Sequence, residues 1–256
     1  MSRHVISAVL LWAFLTGVGE ATILLNWFPS VGSHEAEDFD QIFRILLAMG
    51  FPVFTFVIAV LVYSILEFRT RGPEDAPARF LAGSIGPGTW LVLTSLLAFT
   101  VMIFPGLTGL GALTKERTGN GWGDYDAQLV IHATGYQWSW KFEYPQSGIQ
   151  IQGSQNELVL PVNTVIRFDV DSADVVHSLW VPAFRMKIDA IPGRTTFMTV
   201  KPTELGHYDA DAAFRVQCAE LCGLDHSGMF SPIRVVTVED FRDWVDSQTA
   251  ATAKGQ

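Results

Sequence analysis

Residues 218–229 read C-A-E-L-C-G-L-D-H-S-G-M and contain both cysteines of this 256-residue chain. Cys218 and Cys222 share this short loop with the imidazole of His226 and the thioether of Met229. Thiolate, imidazole and thioether are soft or borderline ligands, which favour copper or zinc over hard cations such as magnesium. The loop therefore predicts a transition-metal site.

Three interpretations of the two cysteines are open. A disulfide suits an oxidising compartment, and the short spacing does not forbid its geometry. A structural zinc ion on both cysteines, His226 and a distant histidine would have tetrahedral nitrogen and sulfur ligation, but it leaves Met229 without a role. Copper uses all of these side chains, because copper electron-transfer sites combine histidine, thiolate and a weak axial methionine. A second thiolate on the same loop would let two sulfurs bridge two copper ions.

A copper centre of this kind needs one more nitrogen ligand from outside the loop. Among the six histidines of the chain, His177 lies in the apolar strand-like run D-V-V-H-S-L-W-V-P. An imidazole without a partner would be costly to bury there. His207 lies in a polar stretch and is predicted to be a surface residue, and His132 receives no role. We therefore predict that His177 is the additional ligand.

Three motifs occur in the order D-V-V-H-S-L-W-V-P, K-I-D-A-I-P-G-R and the cysteine loop. Together they closely resemble subunit II of cytochrome c oxidase, and the similarity extends from about residue 131 to residue 238. The resemblance implies a binuclear copper centre, copper A, on a cupredoxin-like domain. It also implies that the Glu220 side chain binds a magnesium or manganese ion shared with subunit I. The implied copper ligands are His177, Cys218, Cys222, His226, Met229 and the backbone carbonyl of Glu220.

An aromatic segment, G-Y-Q-W-S-W-K-F-E-Y-P at residues 135–145, precedes these motifs. Its aromatic residues alternate with polar ones, which on a strand would line one face with rings. By resemblance, Trp138 is the residue through which an electron from cytochrome c reaches the copper centre. A cytochrome c in this role is usually basic, so carboxylates steer its approach. The acidic positions that match this docking surface are Glu143, Asp174 and Asp189.

The composition agrees with a membrane-anchored protein: 49% of residues are hydrophobic, 17% are charged and the mean hydropathy is +0.27. Residues 45–66 form an uncharged apolar stretch that is long enough to cross about 30 Å of hydrocarbon as a helix. A second uncharged stretch, residues 80–113, contains Gly and Pro at positions 83–88, which predict an unwound start. The regular part of that helix is expected at residues 89–107.

The first apolar segment, residues 5–28, is either a third membrane helix or a cleaved signal peptide. A short basic start at Arg3 suits a signal peptide, but the apolar pattern resumes after Glu20 and no A-x-A cleavage site is present. We favour a retained helix. Arginines at 69, 71 and 79 and acidic residues within 35–40 then place the copper domain outside the cell membrane, on the periplasmic side, by the positive-inside rule.

The second half of the chain predicts β structure. Short alternating apolar runs are expected as strands at residues 128–133, 165–170, 195–200 and 233–238. The predicted fold class is a membrane-anchored all-β protein, with two or three N-terminal transmembrane helices followed by a cupredoxin-like Greek-key β-sandwich. The predicted boundaries are a transmembrane helix or signal peptide at 1–30, transmembrane helices at 41–68 and 80–110, the copper A domain at 115–248 and a frayed tail at 249–256.

The function implied by the resemblance is electron acceptance from cytochrome c and transfer to haem in subunit I of a proton-translocating oxidase that reduces dioxygen to water. Subunit I and other oxidase subunits are then partners within the membrane. The net charge of −9 argues against nucleic-acid binding. One alternative is the copper A subunit of a nitric oxide reductase. Another is a copper-delivery protein, although such proteins normally lack His226 and Met229 on the cysteine loop.

Two departures from the family pattern are visible. Ala173 occupies a position where relatives can carry another docking acid. The stretch S-I-G-P-G-T-W-L-V at residues 84–92 lacks an acid that relatives often carry at the mouth of a proton path. Glu74 or Asp75 on the preceding loop is a candidate replacement.

Overall fold

The computed structural model describes residues 3–25, 27–67, 85–108, 127–152 and 157–254. Within these ranges the chain divides into two compact units, one formed by residues up to 27 and from 41 to 108, the other by residues 28–40 and those from 127 onward. Three apolar helices precede a β-sandwich, which confirms the predicted fold class. The three arginines of the inner loop, Glu74, Asp75 and the predicted domain start at 115 lie outside the described residues.

The helices of the first half are α1 (Arg3–Ile23), α2 (His34–Glu67) and α3 (Ile85–Val101). Three helical stretches, Arg3–Ile23, His34–Glu67 and Gly86–Phe104, are long and apolar enough to cross a membrane. Large apolar side chains such as Phe14, Leu66 and Leu91 are exposed along them. Such exposure is unfavourable in water but suits a helix surrounded by lipid or by other membrane helices.

The helix α2 continues through Pro52, as expected for a membrane helix. A proline inside a helix removes one backbone donor and disturbs the local hydrogen bonds. Here the indole N–H of Trp12 donates to the Pro52 carbonyl at 2.8 Å, and the Thr55 hydroxyl donates to the Phe51 carbonyl at 2.7 Å. The carbonyl that loses its helical partner at Pro52 is that of Ala48, four residues earlier; these two bonds instead connect α2 to Trp12 of α1 and give the Phe51 carbonyl a side-chain donor.

The helix α3 differs from the prediction at both ends. It begins at Ile85, so Pro87 and its flanking glycines are helical. Proline is tolerated in a first helical turn because the N–H groups there have no partner within the helix. The regular helix ends at Val101, and a kinked segment, Met102–Leu107, follows. Phe104 within it has an extended backbone, φ −135° and ψ 121°, because the next residue is a proline.

Two sheets form the sandwich. The strands are β1 (Leu129–Tyr136), β2 (Ser139–Tyr144), β3 (Ile149–Gln152), β4 (Leu158–Pro161), β5 (Ile166–Ser172), β6 (His177–Val181), β7 (Met186–Ala190), β8 (Thr196–Val200), β9 (Gly206–His207), β10 (Arg215–Cys218) and β11 (Phe230–Val236). The first sheet has the order β3-β2-β1-β5-β8, and the second has the order β4-β11-β10-β6-β7 with β9 paired to β11. The four strands predicted from the sequence are present as β1, β5, β8 and β11.

Alternating burial along the strands builds one core between the sheets. In β5, for example, Ile166, Phe168 and Val170 are fully buried, while the residues between them are partly exposed. β1 shows the same period and pairs in parallel with β5, so that Ile131 lies opposite Phe168. This period of two is what a half-buried strand requires.

The aromatic segment is not a single strand, which corrects the expectation of one continuous aromatic face. β1 and β2 are antiparallel, with Tyr136 opposite Ser139, so Gln137 and Trp138 form the turn between them. The three aromatic side chains of β2 point into the core, whereas Trp138 is only partly buried. The hairpin therefore places Trp138, which the resemblance assigns to electron entry, in the turn, and places the aromatic rings of β2 in the core.

The last helix, α4, spans Val238–Lys254. Thr237 caps its start, since the Asp240 N–H donates to the Thr237 hydroxyl oxygen at 3.1 Å. The helix continues beyond residue 248, so residues 249–254, which were expected to be frayed, are helical. Helix propensity explains the difference, because this stretch contains several alanines and no proline or glycine before residue 255.

An aromatic cluster attaches α4 to the sandwich. Phe241 and Trp244 pack against Tyr144 at ring-centroid distances of 6.2 and 5.2 Å. The Tyr144 hydroxyl donates to the Val159 carbonyl at 2.8 Å, and burial raises the pKa of this phenol. The ring thus joins β2, β4 and α4 at one buried point.

The segment of residues 28–40 includes the first residues of α2 and belongs to the sandwich unit, although the rest of α2 belongs to the other unit. The Gly32 N–H donates to the Ala183 carbonyl at 2.9 Å, and the His34 N–H donates to the Lys201 carbonyl at 3.1 Å. Backbone hydrogen bonds of this kind fix the segment along the edge of the domain.

A buried ion pair completes this attachment. Arg185 donates to both carboxylate oxygens of Asp40, at 2.9 and 2.8 Å, and to the carbonyls of Pro29 and Ser30 at 2.6 and 3.0 Å. The Arg185 and Asp40 side chains are only 7% and 10% exposed. A planar guanidinium can satisfy all of these acceptors at once.

We expect Arg185→Ala to lower the free energy of unfolding of the sandwich unit by about 3–5 kcal/mol, because it leaves the Asp40 carboxylate buried without a counter-charge. Denaturant unfolding of the full chain in detergent, followed by tryptophan fluorescence, measures this change. The control is Arg242→Ala, at an exposed position of α4, for which the change should stay within about 0.5 kcal/mol. Equal unfolding midpoints for the two variants would contradict the assignment.

Candidate metal centre

The predicted copper ligands meet where β6 begins and β10 ends. The Cys218 Sγ lies 3.9 Å from His177 Nδ1 and 3.8 Å from Cys222 Sγ. The Cys222 Sγ lies 3.5 Å from His226 Nδ1 and 3.8 Å from the Met229 Sδ. The structure therefore brings the five predicted ligand side chains into one cluster. His177 is distant from the cysteine loop in sequence. It joins the cluster because β6 and β10 are paired neighbours, with Cys218 opposite Leu179.

The two cysteines are free thiols. Their sulfur atoms are separated by 3.8 Å, whereas a disulfide bond is about 2.05 Å long. The disulfide interpretation is therefore wrong for this structure. Both cysteines are 3% exposed. Burial, together with the neighbouring Cys218, raises the pKa of Cys222 to about 12. A bound cation is what would make two adjacent thiolates favourable in this place.

The order of contacts within the cluster bears on which metal the residues could hold. A single tetrahedral ion needs all its donors around one point. The donor atoms of His177, Cys218 and Cys222 lie within 4.8 Å of one another, and His226 is 3.5 Å from Cys222. The contacts thus run imidazole, thiol, thiol, imidazole, with both sulfurs in the middle. These donors could hold copper, and Met229, whose sulfur lies 3.8 Å from the Cys222 sulfur, could serve as a further soft ligand.

Glu220 presents its carbonyl and its side chain in different environments. The Cys218 thiol donates to the Glu220 carbonyl oxygen at 3.3 Å, so this oxygen faces the cluster. The carboxylate belongs to an exposed residue. The carbonyl is consequently available to the cluster, as the resemblance implies, while the side chain is available to a different ligand.

Asp174 is hydrogen bonded to a predicted ligand, which the sequence did not reveal. Its Oδ1 lies 2.7 Å from His177 Nε2, which leaves Nδ1 directed towards Cys218. Burial opposes ionisation, but the hydrogen bonds from His177 and from the backbone N–H groups of Gln137 and Val175 hold the pKa of Asp174 below its usual value. A carboxylate in this position fixes the tautomer and the orientation of a ligand imidazole. In the sequence, the only indication of this hydrogen bond was the three-residue spacing between Asp174 and His177 in D-V-V-H.

The other two acids predicted for the docking surface, Glu143 and Asp189, each have a polar partner within the protein. Glu143 lies on β2 at 2.8 Å from the Lys141 Nζ. Asp189 lies on β7, is exposed, and accepts a hydrogen bond from the Ser178 hydroxyl at 2.8 Å. The ion pair reduces the field that Glu143 offers to a basic partner.

Trp138 lies beside the ligand loop. A Cβ atom added to Gly223 would lie 3.3 Å from the indole, so the backbone next to Cys222 passes close to the ring. His132 and His207, which were not assigned to the site, are exposed on other strands. The structure thus brings Trp138 to the cluster and leaves the remaining histidines of the sandwich away from it.

Comparison with known proteins agrees with this site. The sequence profile of the periplasmic domain of cytochrome c oxidase subunit II matches residues 147–238. A cytochrome c oxidase subunit 2 from Synechocystis is 28% identical over 90% of this chain and 80% of its own length. A haem-copper oxidase subunit 2 from Aeropyrum pernix is 30% identical over 78% of this chain and 86% of its own length. The chain belongs to the cytochrome c oxidase subunit II family.

The crystal structure of the periplasmic domain of subunit II of cytochrome oxidase from Bradyrhizobium japonicum is 39% identical to this subunit II chain. It covers 50% of this chain and 97% of that domain, with a TM-score of 0.46. Family membership confirms the resemblance found in the sequence motifs. It places this chain among the subunits of an oxidoreductase complex, with a periplasmic domain that follows apolar, membrane-anchoring helices.

Gly135 is required for the close approach of β1 to His177. A Cβ at this position would lie 2.8 Å from the His177 Cδ2, which is shorter than any normal contact. We expect Gly135→Ala to displace the imidazole and to weaken copper binding by about ten- to a hundredfold, the range seen when the support of a ligand is lost. Copper titration of the full chain in detergent measures the effect.

The matched control for this substitution is Gly50→Ala, because among the described residues nothing beyond the helix's own neighbouring backbone lies within 4 Å of the added methyl group. Its copper affinity should equal that of the unmodified chain. If Gly135→Ala bound copper as tightly as the control, His177 would not be a ligand held by this contact.

Proposed function

We propose that this chain accepts electrons from cytochrome c and passes them to the haem of subunit I, in a respiratory oxidase that reduces dioxygen to water and translocates protons. The observation that supports this proposal is the cluster of two free thiols between two imidazoles, in a member of the subunit II family. The copper-delivery alternative loses its basis, because the relatives are oxidase subunits.

The residues present fit a binuclear copper centre. Cys218 and Cys222 would hold the copper ions as thiolates, since their sulfurs lie 3.8 Å apart in the middle of the cluster. His177 and His226 would each bind one ion, and Met229 and the Glu220 carbonyl would complete the ligand set as weaker donors. When bound, such a centre supplies a one-electron acceptor whose charge is shared between two ions.

Backbone hydrogen bonds help to hold these ligands in place. The Cys218 N–H donates to the Met229 carbonyl at 3.0 Å, and the Ala219 N–H donates to the Ser178 carbonyl at 2.9 Å. Both ends of the ligand loop are thus tied to each other and to β6. Ligands on loops of a rigid sandwich move little when an electron arrives, which favours fast transfer.

The exposed Glu220 carboxylate is proposed to bind a magnesium or manganese ion together with subunit I. A carboxylate oxygen suits these hard cations, whereas the neighbouring sulfurs do not. Glu220 would then contribute its carbonyl to the copper side and its carboxylate to the subunit I side of the same loop.

Membrane anchoring is consistent with this role. The three apolar helices would hold the chain in the cell membrane, with the copper domain on the periplasmic side. A cytochrome c outside the cell membrane would dock near Trp138, guided by Asp174, Asp189 and, more weakly, the ion-paired Glu143.

The composition of the centre is tested by loading the full chain with copper in detergent and recording its electron paramagnetic resonance spectrum. We expect two coppers per chain that share one unpaired electron, because two thiols lie side by side between two imidazoles. Cys222→Ser should abolish the shared-electron signal, whereas Met229→Leu should retain two coppers and change their reduction potential. One copper per chain, or preferential zinc binding, would contradict the proposal.

The route of the electron is tested with Trp138→Phe in the assembled oxidase. Reduction by cytochrome c should slow by at least about tenfold, because the indole contacts the ligand loop and a smaller ring would not. Trp244→Phe, on α4, is the control and should leave the rate unchanged. Unchanged rates in both variants would remove Trp138 from this role.

The same preparation identifies the final acceptor. Dioxygen consumption driven by reduced cytochrome c, falling as salt is added, is the expected result, because carboxylates steer a basic donor less well when screened. Nitric oxide consumption without dioxygen consumption would support the nitric oxide reductase alternative instead. A rate that is indifferent to ionic strength would remove the docking role of the three acids.

A further inference from the structure

The turn between β1 and β2 contacts both chain segments that supply metal ligands. The side-chain amide of Gln137 donates to the Cys222 carbonyl, with an Nε2 to O distance of 2.6 Å. The backbone N–H of the same residue donates to Asp174 Oδ2 at 2.7 Å. Gln137 therefore connects the cysteine loop with the segment that precedes β6.

The Asp174 carboxylate that accepts from the Gln137 N–H is also hydrogen bonded to the candidate ligand His177. Asp174 uses its other oxygen, Oδ1, to hold His177 Nε2 at 2.7 Å. One residue is thus linked to Cys222 directly and to His177 through a single carboxylate. Neither link touches a metal-binding atom, so both belong to the support of the site rather than to its ligand set.

The loop backbone at Gly223 lies against this turn. A Cβ on Gly223 would lie 3.1 Å from the Gln137 Nε2 and 3.3 Å from the Trp138 Nε1. The residue also has φ +121°, a backbone conformation that favours glycine. Only a residue without a side chain lets the cysteine loop approach both turn residues this closely.

We propose that Gln137 is a positioning residue that holds the Trp138 indole against the cysteine loop. Trp138 follows Gln137 directly in a turn of two residues, so a hydrogen bond that fixes the Gln137 amide also restricts the position of the indole. This inference rests on the proposed function, since the indole matters only if electrons arrive there. Electron transfer rates fall steeply with distance, and a small displacement of the ring is therefore enough to slow the reaction.

Two substitutions separate the hydrogen bond from the bulk of the side chain. Gln137→Ala removes the amide, and Gln137→Glu keeps its size but presents oxygen atoms to the Cys222 carbonyl, where no donor remains. Both should have the same defect. The matched controls are Gln150→Ala and Gln150→Glu, at an exposed position on β3 in the edge strand of the first sheet.

The first readout does not require copper. The full chain is labelled with ¹⁵N-tryptophan, kept copper-free in detergent, and the indole N–H resonance of Trp138 is assigned by its loss in Trp138→Phe. We expect this resonance to shift or broaden in both Gln137 variants and to stay in place in both Gln150 variants. An unchanged resonance in the Gln137 variants would overturn the proposal, whatever the metal content of the protein.

The second readout uses the copper-loaded oxidase. Both Gln137 variants should keep two coppers and the unmodified paramagnetic spectrum, while reduction by cytochrome c slows roughly tenfold and reduction by a small inorganic donor does not. Equal slowing with both donors, or loss of copper from the variants, would show a role in ligand support alone and would overturn the positioning role. If the unmodified chain failed to bind a copper pair, the proposed function would fall, and the copper-free resonance would still decide whether Gln137 positions Trp138.

Discussion

The domain is organised around two thiols that are buried side by side and are not joined to each other. Cys218 and Cys222 are 3.8 Å apart, and burial raises the pKa of Cys222. Such a pair is stable as thiolates only beside positive charge, so the fold must hold the two sulfurs where a cation can bind them. The sandwich provides this arrangement, because β6 and β10 are paired and bring His177 to Cys218, while backbone hydrogen bonds close the loop that carries the other donors.

Residues that are not ligands hold the ligand side chains in position. Asp174 orients His177, and the glycines at 135 and 223 let β1 and the hairpin turn approach the ligands more closely than any other residue would. Each of these contacts restricts a ligand without occupying a metal position. The orientation of the candidate ligands is thus fixed by the surrounding packing as much as by the ligand loop itself.

The sandwich itself depends on a segment that is distant in sequence. Residues 28–40 lie along its edge, and Arg185 satisfies Asp40 and two backbone carbonyls at a buried position. A buried charge pair of this kind specifies a unique arrangement, since either partner alone would be strongly unfavourable. The residues that lead into α2, together with its first residues, therefore contribute to the β-sandwich unit.

The sequence by itself determined the ligand types, the apolar helices and most of the strands. These features follow from local chemistry: soft donors concentrated on one loop, uninterrupted apolar stretches, and alternation with a period of two. His177 could be predicted as well, because an imidazole in an apolar strand requires a partner. The cysteines could not be assigned to a disulfide or to a metal from their spacing alone.

Only the tertiary structure decided how these parts meet. The alternation of Y-Q-W-S-W continues through Gln137 and Trp138 without a typical turn residue, so the sequence predicted one strand where the partner strand imposes a hairpin. Asp174 matched a docking acid by position, yet its distance to His177 makes it a partner of a ligand. Arg185 and Asp40 are 145 residues apart, and such pairs have no local signature. Local patterns reflect burial and period, whereas the register of the strands and the path of the chain decide which side chains come within hydrogen-bonding distance.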